Sequence, residues 1–217
     1  MIRRFRHYPQ IGGKRDRIPA DCVEVDYIRS TGSQYVNLDF GFDPTDEIDA
    51  EFSVDISQTV DKYIVSPVRW NTSQNKFAIG VHTAMLKGEY CAAYGNIGTS
   101  YTVMKPDTVN DGRIHRWTYS SKVFSIVDLG LTRECLSISF GATTQNLRLF
   151  YGYASNTIGR IAHYKHIKMN GVGVDLVAVR CTTDGLGYLC DRLTGKLYGN
   201  TVTGDGFPAE CIGPDKK

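Results

Sequence analysis

Period-two alternation runs through most of this chain. Ile48, Ala50, Phe52, Val54 and Ile56 alternate with Glu47, Asp49, Glu51, Ser53 and Asp55 over ten residues. Successive side chains of a strand point to opposite faces, so this stretch predicts a strand with one face in the core and one in water. Val23, Val25 and Tyr27 alternate with Glu24 and Asp26 in the same way. Further strands are predicted over 34–40, 62–68, 76–82, 88–94, 113–119, 122–128, 134–140, 147–153, 160–168, 174–180, 186–190 and 195–199. No window of a dozen residues carries a convincing apolar stripe at helical spacing.

Turn chemistry separates these segments. Asp43-Pro44, Asn110-Asp111-Gly112 and Asn170-Gly171 punctuate the first part of the chain. Near the end, Thr183-Asp184-Gly185 and Leu193-Thr194-Gly195 recur at a spacing of about 10, the rhythm of an all-β protein and not of a nucleotide-binding α/β unit. Roughly a dozen short antiparallel strands are too many for one open sheet. Two packed sheets in a jelly-roll sandwich are the expected solution. No internal repeat of fixed period and no low-complexity tract is visible.

Composition fits this picture. A chain of 217 residues with 41% hydrophobic content matches a single soluble domain able to bury a core without staples. Tyrosine, at 13, outnumbers phenylalanine at 9, in a strand-forming background of Thr, Val and Ile. No run of 18 apolar residues predicts a membrane helix, and the N-terminus has no continuous apolar stretch of the secretory kind. The expected location is therefore the cell that makes the protein or a larger particle that incorporates it. Of the six cysteines, none forms C-x-x-C or a zinc-like cluster. Cys135 and Cys190 fall at core-type positions and read as buried thiols. Cys181 and Cys190 flank a hairpin turn, where they could face each other.

Charge divides the chain. Residues 1–17 hold Arg3, Arg4, Arg6, Lys14, Arg15 and Arg17 against Asp16 alone, a net +5, while residues 18–217 sum to about −3. Pro9 and Gly12-Gly13 interrupt any regular period. Residues 1–20 are thus expected to form an irregular basic arm, 21–213 the sandwich and 214–217 a tail. Phe5, Tyr8 and Ile11 favour docking of the arm on an acidic partner over simple solvation. The body has no net positive charge and no recognition motif, which disfavours nucleic acid as that partner.

Tyr27-Ile28-Arg29-Ser30-Thr31-Gly32-Ser33-Gln34-Tyr35-Val36 resembles the opening motif of concanavalin A-like, laminin G-like β-sandwich proteins, common in gut Bacteroidales and their phages and prophages. The family's closing pattern is matched by Val179-Arg180, Asp184-Gly185, Gly187, Tyr188, Asp191, Gly195-Lys196, Tyr198, Gly204, Gly206 and Phe207. Residues 147–153 and 161–171 resemble its middle pair of strands. The resemblance spans about 23–213, with Ala178 where the pattern has proline and a short link before the last Gly-x-Gly. Most of these residues have plain folding roles: Gly32, Gly185 and Gly195 suit tight turns, and Asp191 suits a turn acceptor.

The resemblance implies a concanavalin A-like jelly roll. It also implies a non-catalytic, lectin-like accessory of a phage or prophage virion, a capsid or tail decoration that binds glycans or adheres and docks through Arg3, Arg4, Phe5, Arg6, Tyr8, Lys14, Arg15 and Arg17. Two alternatives are a decoration protein with no glycan ligand and a glycoside hydrolase relative. Glycosidases with this sandwich carry carboxylates on one strand, and Glu47-x-Asp49-x-Glu51 has that spacing. Its apolar opposite face makes these acids the wet side of an amphipathic strand, as with Glu24-x-Asp26. His163 and His166, three apart, point to opposite faces and make a poor metal pair. Calcium at Asp39, Asp43 and Asp46 is a minor expectation, with no EF-type loop to support it. For glycan binding, exposed aromatics beside amides are the candidates: Trp70 with Asn71, Tyr94 with Asn96 and Tyr101, and Tyr153 with Asn156. Trp117 alternates with His115 and Tyr119 and is expected in the core.

Overall fold

The computed structural model describes residues 16–55, 62–67, 77–82, 89–94, 101–104, 112–134, 143, 145–151 and 156–217. In chain order the described strands are β1 (Cys22–Glu24), β2 (Ile28–Thr31), β3 (Val36–Asn37), β4 (Glu47–Val54), β5 (Lys62–Pro67), β6 (Phe77–His82), β7 (Glu89–Tyr94) and β8 (Tyr101–Met104). They continue with β9 (His115–Ser120), β10 (Val123–Ile126), β11 (Leu131–Glu134), β12 (Leu147–Leu149), β13 (Ile158–Lys168), β14 (Gly171–Cys181), β15 (Gly187–Asp191) and β16 (Leu197–Tyr198). Among the described residues the helical elements are two short 3-10 turns, Val127–Leu129 and Ala209–Cys211.

Two antiparallel sheets make an all-β sandwich. The ten-stranded sheet runs β11-β10-β9-β4-β13-β14-β15-β16, with β1 added on β14 and β2 on β13. The six-stranded sheet runs β3-β12-β5-β6-β7-β8. The alternation in β4 holds over 47–52: Ile48, Ala50, Phe52 and Val54 are buried, while Glu47, Asp49 and Glu51 are half-buried on the other face; Ser53, expected in water, is buried. One continuous core joins these residues to Trp117, Tyr119, Phe124, Tyr164, Leu176 and Leu189 of the large sheet. From the small sheet it takes Val36, Ile64, Val65, Ile79, Leu147 and Leu149. Phe52 stacks on Trp117 with ring centroids 5.1 Å apart and planes 17° apart. Trp117 is fully buried, as its alternation predicts.

The long hairpin of β13 and β14 is not regular. Its pairing with β4 shifts register between Ile161 and His163, and adjacent residues Ile161 and Ala162 are both buried there. An extra residue on one strand of an antiparallel pair breaks the alternation locally. Strand β14 is buried on both faces over 174–179. Its second cover is a small cluster on the outer side of the sheet, Cys22, Val177, Val179, Cys181 and Cys190, with Ile18, Tyr188 and Leu197 packed against it.

That cluster changes the picture of both termini. The amide of Arg17 donates to the Arg192 carbonyl at 3.1 Å, and Ile18 packs on the sheet, so the arm's last residues lie against the body. Arg3, Arg4, Phe5, Arg6, Tyr8, Lys14 and Arg15 lie outside the described residues. At the other end, Asp215 bridges to Val25, the Asp26 amide donates to Pro214 O at 2.8 Å, and Lys216 N to Glu24 O at 3.0 Å. Residues 214–216, set apart as a tail by sequence, are thus paired to the body. Cysteine pairing is a correction. Cys181 is joined to Cys22, directly opposite it across β1 and β14, and Cys190 faces Val177 instead. Spacing could not reveal this partner, which lies 159 residues away in sequence. Cys190 and Cys211 are buried free thiols, as expected of Cys190.

Candidate functional site

The outer face of the ten-stranded sheet collects charged side chains in rows set by strand register. Arg116 lies opposite Glu51, and Glu51 opposite His163. One step along, Thr118, Asp49, Lys165 and Asp175 form a second row across β9, β4, β13 and β14. The face hollows into an open groove of about 770 Å³ whose lining includes Glu47, Asp49, Arg116, Ser120, Thr132 and Lys165.

The charges in this groove are paired across strands. Arg116 donates from Nε to Asp49 Oδ1 at 2.9 Å and from Nη2 to Oδ2 at 2.7 Å. The bond to Asp49 raises the guanidinium pKa further above its already high value. Both partners stay open to solvent, with side chains 50% and 31% exposed, so lone pairs and N–H groups remain for a ligand. Ser120 Oγ donates to Glu47 Oε1 at 2.9 Å, and Ser125 and Thr132 hydroxyls pair at 3.1 Å. Asp128, in the turn after β10, accepts the Arg116 amide at 3.0 Å and also bonds the buried His115 ring.

Asp175 lies next to Lys165 in the second row, outside the groove lining. It accepts from His163 Nε2 at 2.8 Å and from Arg192 Nη2 at 3.1 and 3.2 Å. Burial pushes its carboxyl up, but the His163 hydrogen bond and the Arg192 charge outweigh this and hold it below the usual range.

Glycoside hydrolysis makes a specific demand on paired carboxyls. That chemistry needs one carboxyl held protonated, in an apolar setting, against a second that stays ionised. Asp49 is held bidentately by the Arg116 guanidinium, and Glu47 accepts from the Ser120 hydroxyl. The free thiols are not poised as nucleophiles: burial first, then neighbouring acids, push Cys190 up to about 11, and burial likewise raises Cys211.

A second polar cluster lies inside the sandwich. His166 Nε2 is 2.8 Å from Asp46 Oδ2, and Tyr164 Oη is 2.9 Å from His166 Nδ1. Asp46 also accepts from Lys168 Nζ at 2.7 Å and from the amides of Asp43 at 2.8 Å and Met169 at 3.1 Å. His166 and Asp46 are fully buried, so this network ties the 39–46 loop to β13 and offers no surface for a substrate. The three acids proposed for calcium are not brought together. Asp46 turns into the core, Asp39 pairs with Lys196 at 2.6 Å, and Asp43 accepts from Thr45. Among the described residues no three His, Cys, Asp or Glu side chains are grouped to hold a metal ion.

Of the aromatic candidates, Tyr94 and Tyr101 fall on the other sheet. Trp70, Asn71, Asn96 and Tyr153 lie outside the described residues. Tyr94 ends β7 and Tyr101 begins β8, and the pairings Phe77–Tyr94 and Ala93–Tyr101 place both at one end of the six-stranded sheet. Their side chains also lie outside the description. Asn156 bridges to Tyr151. Sequence reasoning missed Arg116 and Lys165 as groove residues, and the Asp175–Arg192 pair beyond them. The signal for Arg116 and Lys165 was present, because each alternates with buried neighbours, but only strand order reveals that β9, β4 and β13 are side by side. Searches against protein-family models and against curated proteins find no match to this chain.

Proposed function

We propose that the protein is a non-catalytic, lectin-like jelly-roll module of the concanavalin A-like type, which binds a polyhydroxylated ligand, a glycan, in the outer groove of the ten-stranded sheet. The observation that carries this reading is the Asp49–Arg116 pair. Its two groups neutralise each other yet keep outward acceptors and donors, and Ser120, Ser125, Thr118 and Thr132 surround them. Such a surface matches vicinal hydroxyls, which donate to a carboxylate and accept from a guanidinium, better than it matches a charged ligand. The opening and closing motifs of the family resemblance support the same class. The basic arm, anchored on the body at Arg17 and Ile18, is the docking element to a larger assembly such as a phage particle.

A glycan array with the full chain and with Arg116→Ala, Asp49→Ala and Trp70→Ala tests the groove. Binding lost in the first two and retained in Trp70→Ala supports it. Binding lost only in Trp70→Ala moves the site to residues 68–76. Hydrolysis of any bound glycan that Glu47→Gln or Glu51→Gln abolishes would establish the hydrolase alternative. Deleting residues 1–15, which spares the Arg17 and Ile18 contacts, is expected to leave folding and glycan binding intact and to abolish particle association.

A further inference from the structure

On the outer face of the six-stranded sheet, Arg148 packs against two tyrosines that also touch each other. Its guanidinium carbon lies 4.5 Å from the Tyr35 ring centroid and 4.7 Å from that of Tyr151. The two rings meet edge to face at 5.3 Å. The arrangement follows from alternation: Leu147 and Leu149 point into the core, so Arg148 points out, and Asn37 of β3 lies directly opposite it. Tyr35 precedes buried Val36, so it shares the outer side with Asn37. Phe150, at φ 61°, turns the chain after β12, and Tyr151 follows it with a bridge to Asn156. The closing loop braces the edge: Thr201 N donates to Tyr35 O at 2.8 Å, and Asn37 N to Thr201 Oγ1 at 3.0 Å.

Ring stacking is the only interaction that holds this guanidinium among the described residues. Other arginines on the sheets engage acids, as Arg116 does Asp49, Arg180 does Asp215 and Arg192 does Asp175, while Arg160 lies over the Tyr27 ring and Arg133 donates to the Thr132 carbonyl. Arg148 Nε is buried without a hydrogen-bond partner, and so is Asn37 Oδ1. Neither Nη atom is among the buried unpartnered atoms, so the terminal edge of the fork faces solvent. With the edge open, the planar fork matches a carboxylate bidentately.

We propose that Tyr35, Asn37, Arg148 and Tyr151 form a second ligand site, separate from the groove, that takes the carboxylate of a sugar acid. The guanidinium edge receives the carboxylate, the phenol rings present C–H-binding aromatic surface, and the Asn37 amide reaches a neighbouring hydroxyl. Arg148 sets the specificity for the acidic over the neutral sugar, because stacking fixes the fork's direction before binding and leaves little side-chain entropy to lose.

The test is calorimetric titration of the full chain with a galacturonic acid trimer, a galactose trimer and a tetraglutamate peptide. The acidic trimer is expected to bind, the neutral trimer to bind at least tenfold more weakly, and the peptide to show no binding. Arg148→Gln and Arg148→Lys are each expected to cut affinity for the acidic trimer by tenfold or more, with unchanged melting curves, and Tyr35→Leu to weaken it. Arg116→Ala removes any binding in the groove, so the comparison of the two trimers is repeated in that background; acidic-trimer binding lost in Arg116→Ala but kept in Arg148→Gln would assign the signal to the groove and overturn the proposal. Equal affinity for the two trimers, no binding of the acidic trimer, binding of the peptide as tight as the trimer, or an Arg148→Gln protein that binds normally would each overturn the proposal.

Discussion

His166 donates from Nε2 to Asp46 Oδ2 at 2.8 Å while its Nδ1 accepts the Tyr164 hydroxyl proton at 2.9 Å. A carboxylate can only accept, so the proton on the Asp46 side belongs to Nε2, and a neutral ring then leaves Nδ1 as the acceptor for Tyr164. Burial pushes the His166 pKa down, with the Lys168 charge adding to this and Asp46 opposing it. For Asp46, burial pushes up, but hydrogen bonds from His166, Lys168 and the Asp43 amide prevail and hold it at about 2. Burial also raises the Tyr164 phenol, which therefore stays a donor throughout.

Stability should consequently fall with acid in two stages. The unfolded chain binds a proton at His166 near its ordinary value of about 6.5, which the folded protein refuses, so stability declines as pH drops below about 6.5. Asp46 is lowered in the folded state, so its contribution is intact above about 4 and disappears as pH approaches about 2, a change of order 2 kcal/mol. Urea midpoints measured from pH 8 to pH 3 check this. His166→Gln should flatten the slope between pH 7 and 5, and a wild-type curve with no slope there would refute the neutral-imidazole assignment.

The Cys22–Cys181 bond closes a loop with a sequence separation of 159 and pins β1 beside β14. Cys22→Ser with Cys181→Ser should lose about 2–5 kcal/mol, chiefly because the unfolded chain regains freedom. Because Ile18 and Cys190 share that cluster, the same variant should expose Cys190 to a thiol reagent faster than the oxidised wild type. Unchanged labelling and an unchanged urea midpoint would count against a role for the clamp.

Phe52 and Trp117 stack at the centre of the sandwich, each with at most 1% exposure. Phe52→Ala leaves a cavity between the sheets and should cost about 3–5 kcal/mol, whereas Phe52→Leu, closer in volume, should cost less. Equilibrium denaturation of the two variants measures the difference, and equal losses would mean that the aromatic stack, not the filled volume, carries the contribution.

The two glycines of the closing loop should respond differently. A methyl at Gly206 would lie 2.6 Å from both Leu186 Cβ and Tyr188 Cζ and 2.9 Å from Gly187 O. Gly187 and Phe207 exchange both backbone hydrogen bonds at 2.8 Å, so the loop cannot retreat without breaking them. Gly206→Ala should cost about 1–3 kcal/mol through overpacking. Gly204, at φ 81°, has open space around its added methyl, so Gly204→Asn should be nearly neutral because asparagine tolerates the left-handed region. Melting temperatures of the two variants decide this, and a Gly204→Asn loss as large as that of Gly206→Ala would contradict it.

Individual residues show where sequence reading succeeded. Asp191 was legible as a turn acceptor and is one: it takes the amides of Asp175 at 3.0 Å and Leu193 at 3.2 Å and the Thr194 hydroxyl at 2.6 Å. His163 and His166 do face opposite sides, one to Asp175 on the outer face and the other to Asp46 in the core. Arg148 was invisible as a site, because a single arginine between two leucines looks like any outward residue of a strand. Its tyrosines come from positions 113 residues before it and 3 after it, joined only when β3 pairs with β12.

Period-two patterning and turn residues alone determined that this chain is all-β, which of its residues face inward and where most strands run. Those are local properties, governed by how side chains alternate and where glycine permits a turn. Only the tertiary structure decided the order of strands in each sheet, the partner of Cys181, the inward turn of Asp46 and the company kept by Arg116 and Arg148. Those depend on contacts between residues far apart in the chain, and no local pattern records which distant strand will supply the neighbour.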